Sequence, residues 1–342
     1  MPTPLPGDPA PLFQVVDAAA HRFELASVAG RPVLLIVTGP VALPDSARAV
    51  LDAAMASGLL DGTRGLCLLC GAAPPDGPSH PGLRAVPDPD GAVAHLYGAP
   101  AALLLDPMLR VVAAAPLTAM AGILAQLEGA ARVPPTDLPA PVLLLPRVLE
   151  PELCQRLVAA FEAGQAEESG FMADRDGKLV WVYDRDAKRR RDLEIPDEAL
   201  RAALRARIAR RVAPEIRKAF QFDPTRIERY IVACYDAGEA GHFRAHRDND
   251  TPGTAHRRFA VSINLNDGFE GGDIWFPEFG PRRWRAPAGG AIVFSCSILH
   301  EVTPVTRGRR YATLPFVFDE AAKAALDEAV RQRERRISQR AV

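Results

Sequence analysis

A proline-rich segment near the middle of the chain constrains the fold more than any other sequence feature. Arg132-Val-Pro-Pro-Thr-Asp-Leu-Pro-Ala-Pro141 is typical of a semi-extended connector with few contacts across it. Residues 1–139 carry a net charge of −5 and the remainder carries +4. With 342 residues, and a prior of roughly 150 per domain, we predict a first domain over 1–135, a second over 140–320 and a C-terminal helical segment over 321–342.

The composition excludes several classes of protein. Hydrophobic residues make up 48% of the chain and charged residues 24%, which is enough apolar material for folded cores. A formal net charge of −1 argues against general binding to polyanions. No window is apolar enough to cross a membrane, the N-terminus has no leader pattern, and the five cysteines form no disulfide framework. We therefore expect a cytoplasmic protein with no nucleic-acid partner and no membrane partner.

The first half alternates strand-like and helix-like segments. Pro32–Thr38 and Leu66–Cys70 are continuous apolar runs, which favour strands buried on both faces. Between them, Ser46–Leu60 has helical spacing. Ala101–Asp106 and Leu109–Val112 then read as two strands around a turn. This alternation predicts an α/β layer fold.

The second half begins with helical patterns and continues with short strands. Pro151 suits a first helical turn, and Asp197–Phe220 predicts a long arginine-rich helix that bends at Pro214. In Phe259–Asn266 the odd positions are apolar and the even positions small or polar, which predicts a strand between a core and a polar cavity. Further strands are predicted at Arg226–Tyr235, Asp273–Phe276, Ala291–Cys296 and Tyr311–Phe318. Helices followed by consecutive short strands predict a helix-supported β-sandwich or jelly roll.

Two histidines and an aspartate have the pattern of a metal site. His246 and Asp248 are two residues apart, so on an extended segment their side chains project to the same side. His300 ends an apolar run that reads as a strand leaving the core, and the intervening chain is long enough to return it to that place. Two imidazoles and a carboxylate on one face of an ion leave the other face open, an arrangement typical of non-haem Fe(II) oxygenases.

A pair of arginines follows ten residues after the last of these histidines. Arg309 and Arg310 lie near the end of the next predicted strand, and a guanidinium can bind a carboxylate through two parallel hydrogen bonds. Alternation along the strand favours Arg310, and a register shift of one residue would put Arg309 on that face instead.

These motifs together resemble the prolyl 4-hydroxylase group of 2-oxoglutarate- and Fe(II)-dependent dioxygenases. The resemblance covers residues 140–320 and is concentrated at 226–318. The matching motifs are Ala233-Cys-Tyr-Asp-Ala-Gly, His246-Arg-Asp248, Gly271-Gly272-Asp and His300-Glu-Val-Thr-Pro-Val-Thr-Arg-Gly-Arg-Arg310-Tyr. The resemblance implies a double-stranded β-helix fold and an iron bound by His246, Asp248 and His300. It also implies that Arg310 binds the distal carboxylate of 2-oxoglutarate and that Tyr235 lines that pocket, while Asn264 stands where some relatives carry a further tyrosine.

The same resemblance implies an activity. Members of the group hydroxylate a C–H bond while 2-oxoglutarate and O2 are converted, with release of succinate and CO2. The implied cofactors are Fe(II), 2-oxoglutarate and L-ascorbate, and the implied substrate is a prolyl or other side chain of a protein or peptide.

Segments of the first domain resemble the peroxiredoxin branch of the thioredoxin fold. They are Pro6–Phe13, Gly30–Val37 and Tyr97-Gly-Ala-Pro with Leu104-Leu-Asp106. In that family a cysteine nucleophile follows the first central strand, whereas here the chain reads Thr38-Gly-Pro-Val-Ala-Leu-Pro-Asp. The resemblance therefore implies a thioredoxin-like α/β domain without a catalytic thiol, acting as a scaffold or recognition module.

Two alternative functions stay open. Cys67-Leu-Leu-Cys70 has the spacing of a redox pair and would fit a thiol-dependent peroxidase or reductase. Residues three apart in a strand face opposite sides, so a buried strand is the preferred interpretation. The other alternative is a non-catalytic binding module that keeps the jelly roll only for recognition.

The remaining polar and thiol groups receive structural interpretations. We interpret His242 and His256 as surface or pocket-rim residues, and the run Arg189-Arg-Arg191 as a solvated face. Cys154, Cys234 and Cys296 lie in helix or strand patterns, and they are interpreted as small core residues.

Overall fold

The chain divides into two units. The computed structural model describes residues 3–16, 22–71, 80–132, 138–175 and 178–340. The first unit is Met1–Pro139 together with Phe276–Arg282, and the second is Ala140–Trp275 together with Arg283–Val342. The division at Pro139 falls inside the proline-rich segment, of which residues 133–137 lie outside the described residues.

A short loop that interrupts the second half belongs with the first unit. The backbone N–H of Leu138 donates to the carbonyl of Phe279 at 3.0 Å. Gly30 has a φ of +92°, and a Cβ at this position would lie 2.9 Å from the Cβ of Pro277. The second unit therefore departs from the predicted range 140–320 at Phe276–Arg282, because these contacts join segments far apart in the sequence.

The first unit is an α/β layer structure, as the alternating pattern predicted. Its strands are β1 (Gln14–Val16), β2 (Arg22–Glu24), β3 (Val33–Gly39), β4 (Leu66–Gly71), β5 (Leu83–Pro87), β6 (Ala101–Leu105) and β7 (Val111–Ala115). Its helices are α1 (Asp45–Ala56), α2 (Ala92–Tyr97) and α3 (Met120–Arg132).

A five-stranded sheet forms the centre of this unit. Its strand order is β5-β4-β3-β6-β7, in which β3 pairs parallel with β4 and antiparallel with β6. Every residue of β3 and β4 is buried, which explains why both read as continuous apolar runs. One face of the sheet packs on α1 and α3 through Leu34, Leu51 and Leu127.

In its described residues, the second unit contains many short strands and four α-helices. Its strands are β8 (Leu143–Leu145), β9 (Glu167–Glu168), β10 (Phe171–Arg175), β11 (Lys178–Val182), β12 (Lys188–Arg189), β13 (Arg191–Glu194), β14 (Arg226–Glu228), β15 (Ile231–Asp236), β16 (His242–His246), β17 (Phe259–Asn264), β18 (Glu270–Gly271), β19 (Ile274–Trp275), β20 (Arg283–Trp284), β21 (Ala291–Ser295), β22 (His300–Val302), β23 (Val305–Arg307), β24 (Arg309–Thr313) and β25 (Phe316–Phe318). Its helices are α4 (Pro151–Ala163), α5 (Glu198–Arg211), α6 (Ala213–Phe220) and α7 (Glu320–Arg340).

Two antiparallel sheets of this unit build a jelly roll. The larger has the order β14-β25-β17-β24-β15-β13-β9, with β21 added to β17 and β8 added to β21. The smaller has the order β12-β16-β22-β19-β20. Residues of both sheets line one cavity, and the Phe294 ring of the larger sheet lies 4.6 Å from the His300 ring of the smaller one.

The helices α4, α5 and α6 cover the outer face of the larger sheet. Leu157 of α4 and Leu204 of α5 are fully buried in a core that also contains Val261 and Ile263 of β17. The intervening side chains Ser262 and Asn264 point to the other face, where they contact Arg310. The alternation predicted for this strand, with one face on the core and one on a polar cavity, is therefore confirmed.

Several predicted elements are interrupted where the backbone turns. The helix predicted over Asp197–Phe220 is split between α5 and α6 at Val212, close to the predicted bend. The strand predicted over Arg226–Tyr235 is two strands, because Arg229 has a φ of +73°. The strand predicted over Tyr311–Phe318 is also divided, because Leu314 and Pro315 lie outside the ladder.

The C-terminal segment forms α7, which is 21 residues long and rich in charged side chains. Across the described ranges, none of the helices combines the length and the apolar character needed to span a bilayer.

Candidate metal centre

Two neighbouring strands of the smaller sheet bring the three predicted metal ligands together. His246 is the last residue of β16, and it pairs with His300, the first residue of β22. His300 was predicted to end a strand. It begins one instead, because β21 stops at Ser295 and the chain turns before pairing with β16. Asp248 follows β16 by two residues, and its backbone N–H donates to the carbonyl of Cys296 at 3.0 Å.

The ligand atoms of these three residues converge. One atom from each of His246, Asp248 and His300 lies within 4.8 Å of the others. Asp248 Oδ1 is 3.6 Å from His246 Nε2, and Asp248 Oδ2 is 3.4 Å from His300 Nε2. Within the described part of the chain, no other set of three histidine, cysteine or acidic side chains meets in this way.

Backbone carbonyls fix the orientation of both imidazoles. His246 Nδ1 lies 2.7 Å from the carbonyl of Arg244, and His300 Nδ1 lies 3.0 Å from the carbonyl of Ile298. A carbonyl can only accept, so each Nδ1 carries the proton and each Nε2 presents a lone pair to the centre. The Phe243 ring also stacks on the His246 ring at 3.5 Å. Such support is typical of metal-binding histidines.

The electrostatics favour the protonation states that a cation requires. Burial alone would raise the pKa of Asp248, but His300 and His246 hold the pKa of this carboxyl well below its usual range. Burial, followed by the neighbouring His246, lowers the pKa of His300 to about 4. At neutral pH the centre therefore offers an ionised carboxylate and a neutral imidazole at residue 300, which are the forms that ligate divalent metals.

The donor set fits Fe(II). Two imidazole nitrogens and one carboxylate oxygen are the ligands of the facial triad, and a triad on one side of an ion leaves further positions for exchangeable ligands. The side chains of His246, Asp248 and His300 retain 18%, 12% and 6% exposure respectively. This fits a metal approached from a cavity rather than one enclosed by protein.

Arg310 lies on the inner face of the larger sheet, behind the wall of the same cavity. It is 2% exposed, and its Nε and Nη2 donate to Asn264 Oδ1 and Ser262 Oγ, both at 2.9 Å. Its remaining nitrogen, Nη1, is buried without a hydrogen-bond partner among the described residues. The guanidinium carbon lies 5.4 Å from the centre of the Tyr235 ring. A buried guanidinium with an unused donor fits an incoming carboxylate.

The neighbouring Arg309 faces the other way. It is exposed, and its Nε donates to Asp236 Oδ2 at 2.6 Å. Residues 309 and 310 are consecutive in β24, so their side chains point to opposite faces of the sheet. The structure thus places Arg310, and not Arg309, beside the cavity.

Tyr235 and Asn264 have direct roles in arranging this pocket. Tyr235 is 1% exposed, and its hydroxyl accepts a hydrogen bond of 3.2 Å from Arg190 Nη1. Asn264 Nδ2 donates to the carbonyl of Ala286 at 2.7 Å, which orients its Oδ1 towards Arg310. The Asn264 amide is therefore a hydrogen-bond partner of Arg310.

The middle arginine of the basic run is buried, so the interpretation of Arg189–Arg191 as a solvated face is wrong for this residue. Arg190 is 6% exposed, and its Nη2 donates to Asp192 Oδ2 at 2.7 Å. Lys188 is also buried, with its Nζ donating to the carbonyl of Gly170 at 2.6 Å. The spacing Arg190-x-Asp192 was the available signal, because both side chains share one side of an extended segment.

The two other histidines near the site do not ligate. His256 was expected at the surface or at the pocket rim, but it is buried, and its Nε2 lies 2.6 Å from Glu228 Oε2. His242 is half-buried, and its two ring nitrogens contact the carbonyls of Ala240 and Asp186.

All five cysteines are buried and unpaired with one another. Cys67 and Cys70 lie within the buried strand β4, as predicted, and burial raises the pKa of each thiol. Cys67 belongs to the core cluster on one face of the sheet, together with Leu69. A raised pKa opposes thiolate formation and therefore nucleophilic chemistry.

Comparison with known proteins identifies a family model and several similar proteins. Residues 230–318 match the model of a family described as the 2OG-Fe(II) oxygenase superfamily. A PKHD-type hydroxylase from Pseudomonas fluorescens is 30% identical over 186 residues, which cover 49% of this chain and 79% of the relative. Another, from a Synechococcus species, is 30% identical over 101 residues, 28% of this chain and 44% of the relative. A solved prolyl hydroxylase from Trichoplax adhaerens, in complex with a hypoxia inducible factor oxygen degradation domain peptide fragment, is 18% identical with a TM-score of 0.41, covering 54% of this chain and 86% of that one.

Proposed function

Because this chain belongs to the 2OG-Fe(II) oxygenase superfamily and is an oxidoreductase of the hydroxylase type, we propose that its second unit couples 2-oxoglutarate and O2 to hydroxylation of a C–H bond. One atom of O2 enters the hydroxyl group of the product. The other enters succinate as the cosubstrate loses CO2, so that atoms and electrons balance. We propose a prolyl or other side chain of a protein or peptide as the substrate, on the basis of the resemblance of the motifs at 226–318.

One observation carries this proposal. The triad of His246, Asp248 and His300 opens into a cavity lined by Ser262 and Tyr235, which are the neighbours of the unused Arg310 donor. A metal centre in a cavity whose wall also contacts a carboxylate-binding arginine fits a cosubstrate with carboxylates at both ends.

Each residue has a defined task in this proposal. His246 and His300 donate through Nε2, and Asp248 through its carboxylate, to hold Fe(II). When bound, this ion supplies the activation of O2 and the oxidative decarboxylation. Arg310 orients the distal carboxylate, with Ser262 and Asn264 fixing the plane of its guanidinium.

The apolar side chains of the cavity exclude water from the reacting groups. Ile274, Phe294 and Val302 line the cavity beside the triad, and all three are buried. Exclusion of water protects reactive states and strengthens the electrostatic contacts within the site.

For the first unit, we propose a thioredoxin-like fold that serves as a scaffold or recognition module. A central β3 with a parallel neighbour on one side and an antiparallel one on the other supports this assignment. An ascorbate requirement, a cytoplasmic location and the lack of nucleic-acid or membrane partners stay predictions from the sequence.

Succinate formation tests the proposed function. Purified protein with Fe(II), 2-oxoglutarate and O2 is expected to form succinate, and His246→Ala is expected to abolish this, because two ligands hold iron poorly. His242→Ala is the matched control, since it removes a histidine of the same strand outside the triad, and it is expected to keep the activity. Undiminished succinate formation in His246→Ala would show that the triad is misassigned.

A further inference from the structure

Arg229 is a cavity residue that the proposed reaction does not use. It separates β14 from β15 and has a φ of +73°, a conformation that side chains other than glycine rarely adopt. The turn interrupts two adjacent ladders, and the residue lines the same cavity as His246 and Asp248. Strained backbone of this kind persists where the surrounding structure holds a side chain in a required place.

The guanidinium of Arg229 makes no direct ion pair with an acidic side chain in the described part of the chain, and Asp192 and Asp248 attract it only from a longer distance. None of its nitrogens makes a hydrogen bond there, and its Nε is buried and unsatisfied. Its guanidinium carbon lies over the face of the Phe316 ring, 5.0 Å from the ring centre. Burial, followed by the neighbouring Arg190, lowers its pKa to about 10, which leaves it charged at neutral pH.

The other arginines around the cavity are compensated. Arg190 pairs with Asp192 at 2.7 Å, and Arg257 pairs with Glu228 at 2.6 Å. In the proposed function, the charges of Fe(II), Asp248, dianionic 2-oxoglutarate and Arg310 sum to zero. Arg229, which is half-buried, then remains as an additional positive charge, and a charge partly removed from water without a direct ion-pair partner is costly.

The surroundings of Arg229 fit a ligand with an apolar part and an acidic group. Leu314 and Pro315, which lie between β24 and β25, and Phe316, the first residue of β25, line the cavity beside it. Apolar walls accept aliphatic atoms, and a guanidinium with free donors selects a planar anion such as a carboxylate.

We propose, resting on the proposed function, that Arg229 is a specificity-determining residue that binds a carboxylate of the hydroxylated substrate. The preferred substrate then carries an acidic group close to the oxidised carbon. The carboxylate belongs either to an aspartate or glutamate side chain of a peptide or to a free carboxyl terminus, and the same guanidinium serves both.

A peptide library tests this preference. Iron-loaded protein is incubated with a randomised heptapeptide library whose termini are blocked, and products that gain one oxygen are sequenced by mass spectrometry. Hydroxylated peptides are expected to be enriched in aspartate or glutamate near the modified residue. A second library with free carboxyl termini distinguishes the two sources of the carboxylate.

Variants at residue 229 assign the preference to this side chain. Arg229→Gln is expected to lower turnover of acidic peptides about 30-fold, with little change in turnover of their amide counterparts. Arg229→Lys keeps the charge and is expected to restore part of the difference. Arg210→Gln, which removes an exposed arginine at the end of α5, is the matched control and is expected to behave as the wild type.

The outcomes separate this proposal from the proposed function. Succinate formation without peptide is measured in parallel, and its absence from the wild-type protein overturns the proposed function itself. Hydroxylation without acidic enrichment in either library overturns only the role of Arg229, as does failure of both libraries to yield a product while succinate still forms. An increase in the KM for 2-oxoglutarate in Arg229→Gln as large as that in Arg310→Gln would assign Arg229 to the cosubstrate and also overturn the proposal.

Discussion

Single atoms decide the chemistry of the cavity. The Nδ1 atoms of His246 and His300 contact backbone carbonyls, so that both Nε2 atoms present their lone pairs to the centre. The same holds for the arginine of the carboxylate pocket, because two nitrogens of Arg310 are used by protein and the third is not. In both cases hydrogen bonds within the protein use some nitrogen atoms of the side chain and leave another nitrogen for a ligand.

The unused nitrogen of Arg310 leads to a prediction at this scale. Arg310→Gln is expected to raise the KM for 2-oxoglutarate roughly 30-fold, which corresponds to about 2 kcal/mol for a lost charged hydrogen-bonding partner. The affinity for Fe(II) is expected to stay unchanged, since Arg310 makes no contact with the triad among the described residues. Both constants are measured from succinate formation as a function of each ligand.

The neighbouring arginine supplies the control for this measurement. Arg309→Gln removes an exposed ion pair with Asp236, and no change in the KM for 2-oxoglutarate is expected. Similar KM increases in both variants would show that the effect comes from loss of net charge and not from a bound carboxylate.

At the scale of structural elements, an ion-pair cluster of Glu228, His256 and Arg257 fixes the loop that follows Asp248. Residues 249–258 connect this ligand to β17, and Glu228 of β14 holds their far end. Its Oε2 lies 2.6 Å from His256 Nε2, and its Oε1 accepts from Arg257 Nη2 at 2.6 Å. Arg257 Nη1 also donates to the backbone carbonyl of Asp248 at 3.3 Å. This cluster of Glu228, His256 and Arg257, called the clamp below, therefore connects β14 to the segment that positions the metal ligand Asp248.

The clamp gives the stability a defined pH dependence. Burial raises the pKa of Glu228, but hydrogen bonds from His256 and Arg257 lower it from 4.5 to about 2 overall. A depressed folded-state pKa contributes stability above the unfolded value that is lost as pH falls towards the folded value. Glu228→Gln is expected to lower the free energy of unfolding by at most about 3 kcal/mol at pH 7, and the difference is expected to shrink between pH 4.5 and 2.

Urea unfolding followed by tryptophan fluorescence measures this difference, because all three tryptophans lie in the second unit. Glu270→Gln is the control, since it breaks an exposed pair with Arg307 and is expected to cost less than about 1 kcal/mol at any pH. A difference for Glu228→Gln that stays constant down to pH 3 would contradict the clamp.

At the scale of the whole molecule, the chemistry-bearing residues are concentrated in the second unit. The described part of the first unit has a sheet packed on two helices, and its thiols are enclosed in that sheet. The metal triad, the buried arginines and the cavity all belong to the second unit. We therefore expect the first unit to contribute by its surface or by its connection and not by a reactive thiol.

Thiol accessibility tests this division. The native protein is expected to show no rapidly reacting cysteine towards a thiol-specific disulfide reagent at pH 8, because all five thiols are buried. All five are expected to react after unfolding in urea. Neither the native protein nor the Cys70→Ser variant is expected to reduce peroxide. One fast-reacting thiol per chain, lost in Cys70→Ser, would instead support a redox role for the first unit.

The sequence determined the features that depend only on residues close together in the chain, such as which face of a strand a side chain occupies. The alternation in Phe259–Asn266 predicted the two faces of β17, and the spacing of His246 and Asp248 predicted a shared direction for two ligands. Consecutive positions also predicted that Arg309 and Arg310 face opposite ways. Each of these follows from the period of an extended chain, which repeats every two residues wherever the strand lies.

Only the tertiary structure decided which charged residues are buried. Within the run of arginines only the spacing to Asp192 sets Arg190 apart, and Arg190 enters the cavity because Tyr235, from another strand, accepts its hydrogen bond. His256 is buried because Glu228 lies opposite it, and Arg229 faces the cavity because a ladder breaks there. Burying a charge is costly unless partners compensate for the lost water, and those partners come from segments that meet only in the folded chain.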